Sequence, residues 1–316
     1  MLVHGFGSNA CTWRTLAGRI SADGRVRAAS LSWRNSYGIQ ADALRQALSA
    51  NAPAGTPFIL IGHSQGGMIS RLAAQRGPSQ VRGILTIGAP NRGAPFARDW
   101  WIFGVTLAIA SREVVPRFGP YLSSALGTSV TLTKMAQCIP LLGLTGSMCD
   151  ANPDGTTVGG INSPTNPAIV GAAVVHHAGN DRLFYRMAGD FFCDGCGSSA
   201  LSAVTSVYRT AVACTVVSGI FSILWPPLLD TALSCAAAWG AIDALDWAWQ
   251  KSVSNGDTSD GFIPVTSQQW PNTSTTTISY TESKQYRIAN GATHAGELKD
   301  DRTRLQVNRA LLEVFP

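Results

Sequence analysis

The chain has 316 residues, of which 45% are hydrophobic and 14% are charged, and its formal net charge is +5. This length fits one large α/β domain or two small ones, and it can bury a core without a metal or a disulfide. The basic residues are scattered, without a basic block or a basic–aromatic pattern, which argues against nucleic acid as a partner. The charged fraction is below the usual value of about 25%. An apolar substrate, a lipid interface or a tightly packed large core would each account for it.

Strand-like and helix-like segments alternate through the N-terminal third of the chain. In chain order they are a strand end at 1–3, a helix at 12–20, a strand at 26–31, an amphipathic helix at 40–50 and strands at 57–61 and 81–87. Repeated β-α-β units of this kind predict a parallel sheet with right-handed crossovers.

The alternation stops after residue 93. The later segments are an irregular apolar block at 94–180, a strand at 183–188, a helical block at 191–253, a strand at 285–289 and a helix at 297–315. We therefore predict an α/β fold, a mainly parallel sheet flanked by helices, with two cap or lid inserts. The predicted core comprises 1–97, 183–190 and 255–316, and the predicted inserts are 98–182 and 191–254.

A Gly-x-Ser-x-Gly element occupies residues 62–66, directly after the apolar run 58–61 and before a helical pattern. A serine hydroxyl is a poor nucleophile unless a tight turn holds it above a sheet where a base can reach it. Glycines two residues before and after the serine relieve the steric clash of such a turn. The pattern predicts that Ser64 is a catalytic nucleophile rather than part of a plain structural turn.

A serine nucleophile needs a base and an acid that orients the base. In a sheet of this kind the acid and then the histidine follow the serine along the chain. Of the five histidines, His294 lies just past the last predicted strand and is the predicted base. Asp260, in an Asp-Gly turn followed by an apolar segment, is the predicted acid. Asp257 and Asp190 are left as alternatives.

The oxyanion hole requires two backbone N–H groups. One is expected from Gln65, the residue after the nucleophile, and the other from Phe6, in the loop after the first strand. The glycines at positions 5 and 7 would let this loop approach a bound ester closely.

These residues together resemble the α/β-hydrolase lipases, in particular the bacterial triacylglycerol lipases and the related PGAP-type lipase-like group. The resemblance covers 1–97 and 255–316. The segments that carry it are Val3–Gly7, Gly62–Gly67, Gly88–Gly93, Asp260–Pro264 and His294. In the family, the strand that follows the serine turn is followed by a Gly-Thr-Pro-His-Arg-Gly motif. The third of these segments, Gly88–Gly93, reads Gly-Ala-Pro-Asn-Arg-Gly in this chain.

The resemblance implies hydrolysis of carboxylic esters through an acyl-enzyme, with a mobile lid over an apolar acyl pocket. Calcium-binding members carry an Asp two residues after the catalytic histidine, where this chain has Gly296. We therefore predict no metal and no cofactor. An acyltransferase using the same residues and a non-catalytic lipid-binding protein are the alternatives, and the expected partner is a lipid or another apolar ester, with possible contact to a lipid interface.

Six of the seven cysteines lie between residues 138 and 235. They could pair as 138–149, 193–196 and 214–235, although spacing alone does not fix connectivity. Clustered cysteines favour an oxidising compartment, so we expect a secreted or periplasmic protein. The chain also starts abruptly inside a strand pattern, and we expect sequence upstream of it.

The inserts contain two strongly apolar segments. Residues 100–103 and 221–229 suit a lipid-facing lid, and equally two segments that pack on each other as core. Prolines at 226 and 227 interrupt the uncharged run 210–229, which favours a pair of helices over a membrane span.

Overall fold

The structure is a computed structural model of the chain. Two compact units are defined by their internal contacts, the first comprising Met1–Arg98, Gly143–Gly179 and Asp257–Pro316, and the second Asp99–Leu142 and Asn180–Gly256. The structure describes residues 1–20, 26–51, 53, 55–77, 80–99, 146–163, 170–179, 182–193, 197–222, 228–271, 285–289 and 292–315. The expected lid segment 100–103 lies outside these residues.

The first unit contains a six-stranded parallel sheet. Its strands are β1 Leu2–Val3, β2 Ala28–Ala29, β3 Phe58–His63, β4 Val81–Ile87, β5 Val170–His177 and β6 Gln285–Ala289. Its helices are α1 Arg14–Ala17, α2 Tyr37–Asn51, α3 Gln65–Gln75, α4 Gly146–Asp150, α5 Thr156–Ile161, α9 Val265–Gln268 and α10 Asp301–Val314. Short 3-10 helices lie at Ala10–Trp13 and Glu297–Lys299. The predicted parallel sheet with flanking helices is confirmed.

The strand order across the sheet is β2-β1-β3-β4-β5-β6, and every neighbouring pair is parallel. The chain moves outward from β1 to β2 and then returns to the other side of β1 to form β3. The direction of winding therefore reverses between β1 and β3. In open α/β sheets ligands bind beyond the carboxyl ends of the strands at such a switch point. The loop after β1 and the turn after β3 both lie there.

Both faces of the sheet are buried, which is why its central strands are almost continuously apolar. One core layer joins Leu60, Ile84 and Ala173 to helices α2 and α3. The other core layer joins the alternate strand residues to α10, which contributes the buried Val307. Because successive strand residues point to opposite faces, one run of apolar residues supplies both layers.

One predicted strand is wrong. Residues 183–188 form part of helix α6, Leu183–Cys193, in the second unit, so 183–190 does not belong to the sheet-bearing core. The missing strand is β5, within the segment that we predicted as insert 98–182. A short apolar run does not distinguish a buried strand from a buried helix, and the β-branched residues of β5 were the better strand signal.

The second unit is helical in its described part. Helix α6 packs with α7, Gly197–Phe221, and α8, Leu228–Ser254, and a disulfide between Cys214 and Cys235 joins α7 to α8. The predicted helix pair around 210–229 and the pairing 214–235 are therefore confirmed. None of the helices among the described residues is long and apolar enough to cross a membrane.

The other two expected cystines have different outcomes. Cys149 is an exposed free cysteine, so the pairing 138–149 is wrong. The expected pairing 193–196 stays a prediction, because residue 196 lies outside the described part of the chain.

Candidate active site

Ser64 lies on a strained turn between β3 and α3. Its φ is 55° and its ψ is −132°, a conformation that costs free energy in any residue other than glycine. The flanking glycines make the turn possible. A Cβ on Gly62 would lie 2.5 Å from the backbone of Gly66, and a Cβ on Gly66 would lie 2.2 Å from the carbonyl oxygen of Val3. The turn therefore packs α3 directly against β1 and holds the serine at the carboxyl end of the sheet.

The structure brings Ser64, His294 and Asp260 together. The Oγ of Ser64 lies 2.7 Å from Nε2 of His294, and Nδ1 of the same imidazole lies 2.8 Å from Oδ2 of Asp260. All three residues are buried. The two distances fit a serine that donates its proton to one imidazole nitrogen while the other nitrogen is oriented by a carboxylate.

Backbone N–H groups of the loop that carries Asp260 hold its carboxylate by hydrogen bonds. Its Oδ1 accepts from the backbone N–H groups of Phe262 and Ile263 at 2.8 and 2.7 Å. Its Oδ2 accepts from Nε2 of Gln268 at 3.1 Å as well as from His294. These bonds fix the carboxylate on the side of the imidazole that faces away from the serine.

Neither alternative acid lies in this arrangement. Asp257 is exposed to solvent three residues before Asp260. Asp190 was considered because a strand was predicted just before it, and it instead lies on helix α6 of the second unit.

The two residues predicted to form the oxyanion hole flank the serine. Gln65 is the first residue of α3, and the first N–H groups of a helix have no acceptor within the helix. On the other side, a Cβ on Gly5 would lie 3.2 Å from Oγ of Ser64, so the loop that continues to Phe6 passes directly beside the hydroxyl. The ring of Phe6 packs edge to face on Trp33 with 4.6 Å between centroids.

Comparison with known proteins agrees with this geometry. A model of the alpha/beta hydrolase family matches residues 1–198. The chain belongs to this family.

Two triacylglycerol lipases share a short segment with this alpha/beta hydrolase. A triacylglycerol lipase of Pseudarthrobacter phenanthrenivorans is 46% identical over 54 residues, which cover 17% of this chain and 16% of the relative. A triacylglycerol lipase of Burkholderia plantarii is likewise 46% identical over 54 residues, 14% of its own length. The match thus spans about a sixth of the length of these lipases.

Two solved structures cover most of the chain at low identity. A Bacillus licheniformis lipase in its mature form covers 99% of this hydrolase and 88% of its own chain, at 12% identity and a TM-score of 0.47. A metagenomic carboxyl esterase covers 99% of this hydrolase and 72% of its own chain, at 10% identity and a TM-score of 0.43.

A second carboxylate, which the sequence did not suggest, lies beneath the histidine of this hydrolase. Glu297 is fully buried three residues after His294. Its Oε2 lies 3.1 Å from Nε2 of His63, and its Oε1 lies 3.3 Å from Nδ1 of His176 and 3.7 Å from Nδ1 of His294. A glutamate in the first turn of a helix is ordinarily a surface charge. The sequence feature that relates Glu297 to the site is its spacing of three residues, about one helical turn, from His294.

His63, the residue before the serine, also faces the site. Its ring stacks on that of His294, with 4.9 Å between centroids. The strained turn at Ser64 brings the end of β3 close to the His294 loop, and Glu297 attracts the imidazole there.

Charge and burial compete at each titratable group of the site. Burial alone would lower the pKa of His294, but the nearby carboxylates of Asp260 and Glu297 outweigh it and raise the pKa. Burial alone would raise the pKa of Glu297, but the imidazoles around it hold the pKa well below its usual range. Burial raises the pKa of Asp260 to about 7, the imidazole of His294 opposes that rise, and the negative charge of Glu297 adds to it. Glu297 is therefore ionised and contributes a fixed negative charge under the imidazole.

The motif Gly88–Gly93 helps to position two carboxylates, that of Glu297 directly and that of Asp260 through Gln268. Gly88 has a φ of +52°, and a Cβ there would lie 2.1 Å from Oε2 of Glu297, so glycine leaves room for that carboxylate. Asn91, at the position where the resembled motif has histidine, is fully buried and donates to the carbonyl oxygen of Gln268 at 2.7 Å. Gln268 is the residue that donates to Asp260, so the motif helps to fix the acid loop.

One group among the described residues has the donor atoms of a metal site, namely His63, His294 and Glu297, within 4.8 Å of one another. Both nitrogens of His294 face Ser64 and Asp260, and Nε2 of His63 faces Glu297. Most of these donor atoms are thus engaged in hydrogen bonds, whereas Oε1 of Glu297 is buried without a hydrogen-bond partner. This arrangement fits a polar network under the imidazole better than a metal centre.

Proposed function

We propose that this alpha/beta hydrolase is a serine esterase or lipase that cleaves carboxylic esters of apolar acyl chains through an acyl-enzyme. The observation that carries the proposal is the hydrogen-bonded series from Ser64 through His294 to Asp260. A buried serine hydroxyl within 2.7 Å of an imidazole that is itself held by a carboxylate is the arrangement that activates a serine for acyl transfer.

In the proposed reaction, Oγ of Ser64 attacks the ester carbonyl carbon while its proton passes to Nε2 of His294. The carbonyl oxygen becomes an oxyanion that the N–H groups of Gln65 and Phe6 stabilise. When the tetrahedral intermediate collapses, the carbon–oxygen bond to the alcohol breaks and His294 gives that alcohol its proton. Water then repeats the two steps on the acyl-enzyme, which releases the carboxylic acid and restores Ser64. Asp260, which lies 2.8 Å from Nδ1 of His294, orients the imidazole and stabilises the imidazolium.

Two features support an apolar acyl group. Phe6 follows Gly5, which lies beside the serine, and its half-buried ring packs on the half-buried ring of Trp33, so the two rings offer apolar surface in that loop region. The ring of Phe262 stacks on His294 from another side, with 5.6 Å between centroids. The disulfide Cys214–Cys235 supports an oxidising compartment, and we propose that the protein acts outside the cytoplasm.

Replacement of the serine tests the proposal. We expect Ser64→Ala to lower turnover of p-nitrophenyl esters at least about 10³-fold, because it removes the atom that forms the acyl bond. Steady-state kinetics measure the loss, and circular dichroism checks that the variant stays folded. Ser70→Ala is a matched control, since that hydroxyl is also buried in α3 but bonds only to the helix backbone.

A fluorophosphonate probe reports the same activation independently of the substrate. It should label the wild-type protein and the Ser70→Ala variant but not Ser64→Ala. Ester turnover that persists in folded Ser64→Ala, or a wild-type protein that neither turns over esters nor labels, would show that the proposal is wrong. A series of acyl-chain lengths, assayed below and above the solubility limit, then separates a lipase, whose rate rises at the interface, from an esterase.

A further inference from the structure

We propose that Gln40 is a positioning residue of the oxyanion hole. Its buried side-chain amide joins Gln65 to the loop that carries Trp33, and through Trp33 it also steadies Phe6. The inference rests on the proposed function, since the two N–H donors matter only if an oxyanion forms there.

The amide of Gln40 is buried and uses both of its ends. Gln40 lies in the first turn of α2 and is 1% exposed. Its Oε1 accepts from Nε2 of Gln65 at 3.0 Å, and its Nε2 donates to the carbonyl oxygen of Asn35 at 2.6 Å. A buried polar side chain is costly unless such bonds are made. Hence this amide pair sets one relative orientation of α2 and α3 that apolar side chains would not specify.

The loop between β2 and α2 is held by the same pair of amides. The carbonyl oxygen of Trp33 accepts from Nε2 of Gln65 at 3.3 Å and lies 3.5 Å from Nε2 of Gln40. The indole of Trp33 then packs on the ring of Phe6 at an interplanar angle of 64°. A continuous path of contacts therefore runs from the first residue of α3 to the loop after β1.

This path links the two sides of the proposed oxyanion hole. Gln65 is one predicted donor, and its side chain is bonded to Gln40. Phe6 is the other predicted donor, and its ring rests on the tryptophan whose carbonyl group the two glutamines hold. Oxyanion donors act only within about 2.7–3.1 Å of the oxygen, so small shifts in either donor reduce the rate. A bond that fixes both donors acts on the transition state more than on the bound ester.

The test replaces Gln40 with Met, which keeps the length and approximate volume of the side chain but makes no hydrogen bond. We expect kcat for a p-nitrophenyl ester to fall roughly 10- to 100-fold, less than the loss of a whole donor, while KM changes less than about 2-fold. The inhibition constant of an alkyl boronic acid, whose adduct with Ser64 places an oxygen in the hole, should rise by a similar factor.

Gln75→Met is the matched control. Gln75 lies at the other end of α3, and its Nε2 donates to the carbonyl oxygen of Ile161 at 2.7 Å, away from the serine. It loses the same kind of bond, so we expect kcat and boronate inhibition close to the wild-type values. If Gln40→Met behaves like this control, or raises KM as much as it lowers kcat, the inference is wrong although the proposed function stands.

A second variant keeps the test decisive if Gln40→Met does not fold. Gln65→Met removes the other end of the same bond and should give the same selective loss of kcat, whereas an unchanged kcat would overturn the inference. Where both single variants fold, the double variant should lose less than the product of the two losses, because they remove one shared bond. A wild-type protein without ester turnover or fluorophosphonate labelling would overturn the proposed function itself.

Discussion

Glu297 lies near three imidazoles, and its charge acts on the one that we propose as the base. It is ionised at neutral pH, since its imidazole neighbours hold its pKa down. Its Oε1 is 3.7 Å from Nδ1 of His294, the nitrogen that also faces Asp260. Two carboxylates thus favour the imidazolium that forms when Ser64 loses its proton. The same two charges make His294 easier to protonate in the resting protein.

This balance predicts the pH dependence of a variant. His294 accepts the serine proton only when it is neutral, so activity falls on the acid side as pH drops through its pKa. Glu297→Gln removes one negative charge and lowers that pKa. We therefore expect the acid limb of kcat/KM to move to lower pH, by about one unit. The measurement is the pH profile of ester hydrolysis.

Glu313→Gln is the control, because that glutamate is half exposed on α10 and pairs with Arg309 at the surface. The acid limb of the pH profile of kcat/KM for Glu313→Gln should coincide with that of the wild-type protein. An acid limb that stays in place in folded Glu297→Gln, or that moves to higher pH, would contradict the electrostatic role given to Glu297.

The element on which the site depends is the turn that joins β3 to α3. Its sharpness comes from contacts between backbones rather than from a side-chain core. At Gly66 the helix approaches β1 so closely that the strand's carbonyl groups occupy the space of a side chain. Close packing of this kind places Ser64 beside the loop after β1, and it leaves no room for any Cβ at position 66.

Adding that Cβ should therefore destabilise the protein. Gly66→Ala places a methyl group 2.2 Å from the carbonyl oxygen of Val3, so strand and helix must separate. We expect a loss of about 1–3 kcal/mol or more in the free energy of unfolding, measured by urea denaturation. Gly159→Ala in α5 is the matched control. Its added methyl group meets nothing within 4 Å, and removing a helical glycine should be neutral or slightly stabilising. If Gly66→Ala and Gly159→Ala unfold at the same urea concentration, the close approach of α3 to β1 is not what fixes the turn.

At the scale of the whole molecule, the residues proposed for catalysis all belong to the first unit. Ser64, Asp260 and His294 come from three separate stretches of chain that the parallel sheet collects at one edge. The stretch Asn180–Gly256 of the second unit is inserted between β5 and the loop of Asp260, and in its described part it consists of helices joined by one cystine. A covalent link between two long helices stabilises such a helical region.

Removal of that link should weaken the second unit selectively. Cys214 and Cys235 close a loop of 21 residues, for which chain entropy gives a stabilisation of about 3 kcal/mol. We expect Cys214→Ser/Cys235→Ser to be cleaved faster by thermolysin within α7 and α8, as located by mass spectrometry, because local opening exposes the backbone. Cys149→Ser removes an exposed free thiol and should leave the cleavage pattern unchanged. Equal cleavage rates for both variants would mean that the cystine does not hold the helices together.

The sequence by itself determined the features that depend on local rules. Glycine spacing around Ser64 reflects steric limits within five residues, and strand-helix alternation in the first ninety residues reflects backbone periodicity, so the elbow and the parallel sheet could be predicted. The order of serine, acid and histidine along the chain then favoured His294 as the base, and the Asp-Gly turn favoured Asp260 as the acid. The strand at 183–188 was wrong because a short apolar run satisfies either kind of structure.

Only the tertiary structure decided which distant polar groups meet. His63 and Glu297 are 234 residues apart, and Gln40 and Gln65 are 25 apart, and no local pattern shows that the two members of either pair meet. Such residues acquire their roles when the sheet brings separate segments to one edge and excludes water, because burial then strengthens every hydrogen bond and charge among them. Local sterics placed the serine, and long-range burial determined what surrounds it.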